Sequence, residues 1–321
     1  MWAGPAEDDF AARCAAPGVL ICNGMDAMGP WPANPLTRVS THAINGNIHP
    51  RGDGQYRDSI DSANKMSGAG SLKLQLDAGY ADAVVTSEFW CCGGSLTPPP
   101  GRGLGQNFGP GSTFYVQYAV RFSPEMFTNL NTWNSQWKVS VIFGGLLCSN
   151  TELTWHESTD HFMEMYKNCG AEYVATGLDG HTWVSVSQIL SGTPYLLQQG
   201  NFLCQYGVYA NCWTPPSDTW ITVLFKVHIA SPAGAVGSTV EAWYSINRQA
   251  FVKWINVIDN FKIDSSNAFN NIYLSPYMTS LSRAASSTAY IWYDELIVST
   301  QAISAPAAGS KPAAPVDLFL Q

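Results

Sequence analysis

Charge is scarce in this chain: of 321 residues, 12% are Asp, Glu, Lys or Arg, about half the share of a typical soluble domain. What charge there is leans acidic, with 16 basic against 24 acidic residues and a formal net charge of −8. No run of Lys and Arg occurs, so the electrostatic footprint of a nucleic-acid binder is missing and no nucleic-acid partner is expected. The same negative field repels a polyanion at a distance, so an acidic polymer needs a local cationic groove. No apolar run approaches the roughly 18 residues of a membrane helix, and no membrane partner is expected. Met1-Trp2-Ala3-Gly4-Pro5 lacks a basic stretch followed by an apolar run. It does not read as a signal peptide, and a mature chain behind an added start Met is expected. No pair of two-residue-spaced Cys motifs is present, which excludes a zinc ribbon.

Turn formers and aromatics are plentiful: 28 Gly, 19 Pro, 12 Trp and 14 Tyr. The mixture favours short strands joined by many turns, and one all-β domain can occupy this length. Alternation marks the strands. Ser71-Leu72-Lys73-Leu74-Gln75-Leu76 alternates cleanly, and residues 114–122 put Phe114, Val116, Tyr118, Val120 and Phe122 on one side. Gln117 and Arg121 share the other side. In residues 137–143, Trp137, Val139, Val141 and Phe143 are expected inward, with Lys138 and Ser140 outward. In 221–229, Ile221, Val223, Phe225 and Val227 point inward and Lys226 and His228 lie opposite. Further strands are expected over 240–246, 271–278 and 289–299. The expected architecture is a disulfide-stapled jelly-roll β-sandwich of two antiparallel sheets over residues 61–303. An entry segment, 1–60, packs on it, and a Pro/Ala-rich tail, 304–321, follows.

Eight cysteines imply disulfides, an oxidising compartment and a secreted protein. Proximity pairs Cys14 with Cys22 and Cys204 with Cys212, while the partners of Cys91 and Cys92 stay open. Cys148 and Cys169 are centred on the same midpoint as His156 and His161. A bond between those cysteines would staple a hairpin with a four-residue turn, 157–160. Glu152 then faces Met165, Thr154 faces Met163, and His156 faces His161. Glu152, Thr154, His156 and His161 occupy the polar face of this hairpin. In that register His156, His161 and Glu152 form a weak alternative as metal ligands.

Gly70-Ser71-Leu72-Lys73-Leu74, the strand at 114–122 and the closing Tyr290-Ile291-Trp292-Tyr293-Asp294-Glu295-Leu296-Ile297-Val298 resemble strands of the concanavalin A-like jelly roll. Within that superfamily the chain is most similar to bacterial polysaccharide lyases of the alginate and heparin lyase I type. The resemblance implies a concave sheet that grips a glycan. An Arg, Gln or Asn neutralises a uronate carboxylate there, and a His or Tyr abstracts the C5 proton. Such lyases carry a Gln-Ile/Val-His strand and a terminal Tyr-x-Lys-x-x-x-Tyr strand. The matching stretches here are Val141-Ile142-Phe143, without the His, and Ile272-Tyr273-Leu274-Ser275-Pro276-Tyr277, without the Lys.

His156, Tyr277, Tyr273 and Arg121 are therefore the catalytic candidates. Gln117, Lys138, Glu152, Lys226 and His228 are the candidates for substrate binding. A monomer acting on a polysaccharide by β-elimination is the leading expectation. No cofactor is required, and a structural Ca2+ is compatible with the fold. A lectin-like glycan-binding module, a glycoside hydrolase on the same fold, and a virion or cell-surface structural protein are the alternatives. Of these the hydrolase lacks its usual Glu-x-Asp-x-x-Glu strand, since Thr154 stands at the middle position of the nearest run.

Overall fold

A computed structural model describes residues 5–29, 38–40, 56–76, 104–128, 136–144, 152–157, 163–168, 215–232, 235, 237–259, 268–279 and 287–308. The elements run α1 (Pro5–Cys14), β1 (Val19–Asn23), β2 (Ala27–Gly29), β3 (Arg38–Ser40), β4 (Tyr56–Asp61), β5 (Ser71–Leu76), β6 (Thr113–Phe122) and α2 (Glu125–Thr128). They continue with β7 (Gln136–Gly144), β8 (Glu152–Glu157), β9 (Met163–Asn168), β10 (Ile221–His228), β11 (Ser238–Ile246), β12 (Val252–Asp259), β13 (Phe269–Thr279) and β14 (Ala289–Ser299).

The long strands form two antiparallel sheets, so the sandwich expected from alternation is the architecture of the chain. The larger has the order β12-β11-β10-β6-β14-β5-β4, with β1 also paired to β14; the smaller has the order β13-β7-β8-β9. A short parallel pair, β2-β3, stands apart. Between the two sheets lie the alternating apolar residues of β6 and β10, all fully buried: Phe114, Val116, Tyr118 and Val120 against Val227, Phe225, Val223 and Ile221. Phe108 stacks on Phe114 with ring centroids 4.4 Å apart, and each such ring taken from water contributes roughly 1.5–3 kcal/mol. Two hydroxyls cross the interface: Tyr118 donates to Ser140 Oγ at 2.7 Å, and Tyr293 donates to the Val139 carbonyl at 2.7 Å.

Two β-bulges in the smaller sheet change which residues face the core. The β7–β8 register shifts between Lys138 and Ser140, so the alternation expected across residues 137–143 reverses there. Ser140 and Ile142, with Val139, are the buried residues of β7, whereas Ser140 was expected outside. The β13–β7 register shifts between Leu274 and Tyr277. Pro276 lies in that interval, and a residue with no N–H cannot complete a ladder.

Part of the outer face of the larger sheet, around Gln117, Leu224 and Ile297, is covered by α1 and the segment after β14. Phe10, Cys22, Leu224, Ile297 and Ile303 form a second apolar cluster, and a Cys14–Cys22 disulfide ties the helix to β1. That pairing is the one expected from proximity; Cys91, Cys92, Cys148, Cys169, Cys204 and Cys212 lie outside the described residues. Residues 304–308 run along the helix. The Ser304 carbonyl accepts from Gln117, and Ala307 N–H donates to Asp9.

Candidate active site on the smaller sheet

Antiparallel partners that stand directly opposite share one face of a sheet, about 4.5–5.5 Å apart at Cβ. In the smaller sheet this rule assembles three rows across β13, β7, β8 and β9. The first is Asn271, Phe143, Glu152 and Asn168; the second is Tyr273, Val141, Thr154 and Tyr166; the third is Tyr277, Lys138, His156 and Glu164. Along β8 these rows fall at residues 152, 154 and 156. The intervening Leu153 and Trp155 pair with the core residues Ile142 and Ser140. The three rows therefore take the register positions that alternate with the buried ones, and successive rows are separated by about 7 Å along the strand.

The two bulges create the third row. Without the slip at Pro276 and the one after Lys138, Tyr277 and Lys138 would fall out of step with His156. As it is, His156, Lys138 and Tyr277 come from three strands to consecutive register positions of one row, with Glu164 paired to His156.

The hairpin register differs from the expected one. His156 faces Glu164, not His161; Glu152 faces Asn168, not Met165; Thr154 faces Tyr166, not Met163. The connection runs from 158 to 162, one residue longer than the expected turn. The metal alternative, in which His156 and His161 were to face each other, loses that register; the Cys148–Cys169 staple lies outside the described residues. Among the described residues no cluster of His, Cys, Asp and Glu has the make-up of a metal site.

Of the expected site residues, Tyr273, Tyr277, Lys138, Glu152 and His156 thus converge on one face. Arg121, Gln117, Lys226 and His228 do not join them, because β6 and β10 belong to the larger sheet and these four sit on its outer side, across the whole core. Gln117 is fully buried beneath α1, where its Oε1 accepts from Arg13 at 2.5 Å. Lys226 pairs with Glu241 at 2.5 Å, and that hydrogen bond raises its pKa against the opposing effect of burial. His228 Nδ1 lies 2.9 Å from Thr113 Oγ1. Arg121 reaches Asp218 at 3.3 Å. The single cationic groove expected from all of them therefore does not form. Alternation assigns each residue a side of its own strand, but not which sheet that strand joins.

Glu164, Tyr166, Asn168 and Asn271 are row members that the sequence reading passed over. The signal was present in β9, where Glu164, Tyr166 and Asn168 alternate with Met163, Met165 and Lys167.

Under α1 lies a closed ring of ion pairs. Arg13 meets Asp9 at 3.0 Å and Glu295 at 2.5 Å; Arg248 meets Asp9 at 3.2 Å and Glu295 at 2.6 Å. Glu295 is fully buried and holds φ at 51°, a left-handed conformation uncommon away from glycine. It sits where the β14–β6 register slips between Asp294 and Ile297. The neighbouring Asp294 is also fully buried; burial and then the charge of Glu295 push its pKa well up, against the amides of Met66, Ser67 and Glu295 that donate to it. With its donors and acceptors spent on one another, this cluster is structural.

No protein-family model matches the chain, and no curated protein matches it in sequence. Among solved structures, a marine alginate lyase from Aplysia kurodai is similar at 14% identity and a TM-score of 0.46, over 82% of this chain and 95% of that one. An endo-β-1,4-glucuronan lyase from the fungus Trichoderma reesei is similar at 13% identity and a TM-score of 0.42, with the same coverages of 82% and 95%. The catalytic domain of a glycoside hydrolase family 131 protein from Coprinopsis cinerea reaches 14% identity and a TM-score of 0.38, over 79% of this chain and 80% of that one. At TM-scores below 0.5 these likenesses add nothing to the chemistry, for which the chain's own rows are the ground.

Proposed function

We propose that this protein is a secreted polysaccharide lyase that cleaves a uronate-containing polymer by β-elimination on the outer face of its smaller sheet. The reading is carried by the third row, in which Tyr277, Lys138 and His156 occupy consecutive register positions. Elimination needs three things within the span of one sugar ring: a cation to balance the carboxylate, a base for the C5 proton and an acid for the departing oxygen. Three neighbouring strands span about 10 Å, which is that scale. Lys138 balances the uronate carboxylate and makes the C5 proton removable. His156, with Glu164 opposite to orient its ring, takes that proton. The electron pair left on C5 forms the C4–C5 double bond as the C4–O4 bond breaks, and the Tyr277 phenol supplies the proton to the leaving O4. Tyr273, in the adjoining row, and Glu152, in the row beyond it, extend the contact along the polymer. The Cys14–Cys22 disulfide supports an extracytoplasmic location.

The test is a panel of acidic and neutral polysaccharides, followed for new reducing ends and for the ultraviolet absorbance of an unsaturated uronate. The expected result is that both rise together on a uronate polymer and that His156→Ala and Tyr277→Phe abolish them while folding is retained. New ends without the absorbance would mean hydrolysis. Wild-type rates in both variants would remove the row from the mechanism.

A further inference from the structure

The outer face of the larger sheet holds a second arrangement that the proposed elimination does not use. Lys73, Trp292 and Arg121 stand in one register row across β5, β14 and β6, so two cations flank an indole. Two inter-strand spacings put the cations about 10 Å apart. Lys73 Nζ lies 4.1 Å from the Tyr290 ring centroid, the Arg121 guanidinium carbon 5.5 Å from the Trp292 centroid, and the two rings lie 5.7 Å apart with planes 34° from parallel. Trp292 is fixed from below: its indole N–H donates to Asp61 at 2.9 Å, and only 5% of the residue is exposed. Tyr290, Lys73 and Arg121 are half-buried, as is Trp220 just before β10.

The cations in this row are incompletely satisfied. Arg121 makes one ion pair, at 3.3 Å, with an Asp218 whose side chain is 54% exposed. Its Nε is buried without a partner. A guanidinium carries five donors in a fixed fork suited to a carboxylate. Lys73 has no acidic partner among the described residues, and its ammonium lies over the Tyr290 ring. The nearby acid Asp61 is already engaged by the amides of Ala63 and Asn64, the Asn64 side chain and the Trp292 indole.

We infer that this face is a second, non-catalytic binding surface for an acidic polysaccharide. Arg121 and Lys73 take carboxylates on alternate sugars of one strand, and Tyr290 and Trp220 contact the sugar rings. Charge complementarity selects this occupant. A neutral glycan would leave Lys73 without a counter-charge and Arg121 with only the exposed Asp218, and the chain's net charge of −8 makes such a local cationic row the part of this face a polyanion can approach. The surface shares its polymer class with the proposed elimination but none of its residues, and it lies on the other side of the core.

The experiment is native affinity electrophoresis in gels containing alginate, polygalacturonate or uncharged dextran, with folding checked by thermal melting. Retardation of the wild-type protein by a polyuronate and not by dextran is expected. Lys73→Gln combined with Arg121→Gln should weaken that retardation roughly tenfold or more, and added salt should weaken it too. Tyr290→Ala should reduce it without moving the salt dependence. His156→Ala should be retarded like wild type, and Lys73→Gln should cleave short oligosaccharides at the wild-type rate if elimination is found. Undiminished retardation in the folded double variant, equal retardation by dextran, or none at all would overturn the inference. Loss of retardation in His156→Ala alone would transfer the binding to the smaller sheet. Elimination without patch-dependent retardation would overturn this inference and leave the proposed function standing.

Discussion

Tyr118 of the larger sheet donates its phenolic hydrogen to Ser140 of the smaller sheet across 2.7 Å, with both residues buried. The bond is one of two that cross a largely apolar interface, and it pins Ser140 inward just after the bulge that puts Lys138 in step with His156. Burial pushes the Tyr118 phenol well up in pKa, so it stays a donor at any working pH. Tyr118→Phe would leave the Ser140 hydroxyl with one partner fewer and cost about 1–2 kcal/mol by urea denaturation. Tyr118→Phe combined with Ser140→Ala should recover part of that loss. An unrecovered double variant would show that the bond itself is not what the single substitution removes.

The hairpin register can be read by cross-linking. In the observed pairing Thr154 faces Tyr166, so Thr154→Cys with Tyr166→Cys places two thiols within disulfide reach. Thr154→Cys with Met163→Cys does not. Mass spectrometry under mild oxidation should find the new bond in the first pair only. A bond in the second pair alone would restore the shorter turn and separate His156 from Glu164.

Asp61 sets a pH dependence. Burial works to raise its pKa, but hydrogen bonds from the Asn64 side chain, the Trp292 indole and the amides of Ala63 and Asn64 prevail and hold it at about 2. A carboxylate held below its unfolded value of 3.8 stabilises the native state fully above that value. The stabilisation is lost as pH falls from about 4 toward 2. After allowance for solvent, Asp61→Asn should be about 1 kcal/mol less stable at pH 7, with the difference closing near pH 2. A gap that persists at pH 2 in thermal melts would assign it to shape, not charge.

The ion-pair ring should be strongly non-additive. Arg13→Met removes one of two cations from a fully buried Glu295 and should cost about 3 kcal/mol or more in urea unfolding. With Glu295→Gln already in place, the same substitution should cost much less. Additive losses would mean that the guanidinium acts by packing α1 and not by meeting the carboxylate.

If His156 is the base and Tyr277 the acid, elimination should follow a bell in pH. Its acid limb should report the base, which must be neutral to take the C5 proton, and its alkaline limb the acid, which must still carry the proton it gives to O4. Tyr277→Phe should leave any residual rate without the alkaline limb. A single limb in the wild-type profile would leave one of the two without a role.

Period-two alternation reveals a strand wherever one face is apolar and the other polar, which is why β5, β6, β7, β10 and β14 were legible from the chain alone. It fails where a ladder slips. The bulge after Lys138 reversed the facing of β7, and no local pattern announces such a slip, whereas Pro276 at least marks the one in β13. Helix α1 was unread because Pro5–Cys14 is short and mixed in character. The face of its partner sheet looked solvent-exposed for the same reason: Gln117 is polar in sequence but lies under that helix with Arg13 as its partner. Tyr273, Tyr277, Lys138, Glu152 and His156 could each be picked out as outward polar residues. Their assembly depended on strand order, a long-range property that local alternation does not encode.

The position of β14 governs when this molecule can come into being. It is the last strand among the described residues, yet its first half lies between β5 and β6 and its second half between β6 and β1. A chain emerging from the ribosome therefore holds its early strands with open edges until residue 299 has been synthesised. Only then does the large sheet close, the Asp294–Glu295 bulge receive Arg13 and Arg248, and Asp9 meet Ala307, 298 positions along the chain. Such an assembly is completed after synthesis, and until then exposed strand edges leave it dependent on whatever keeps neighbouring chains apart.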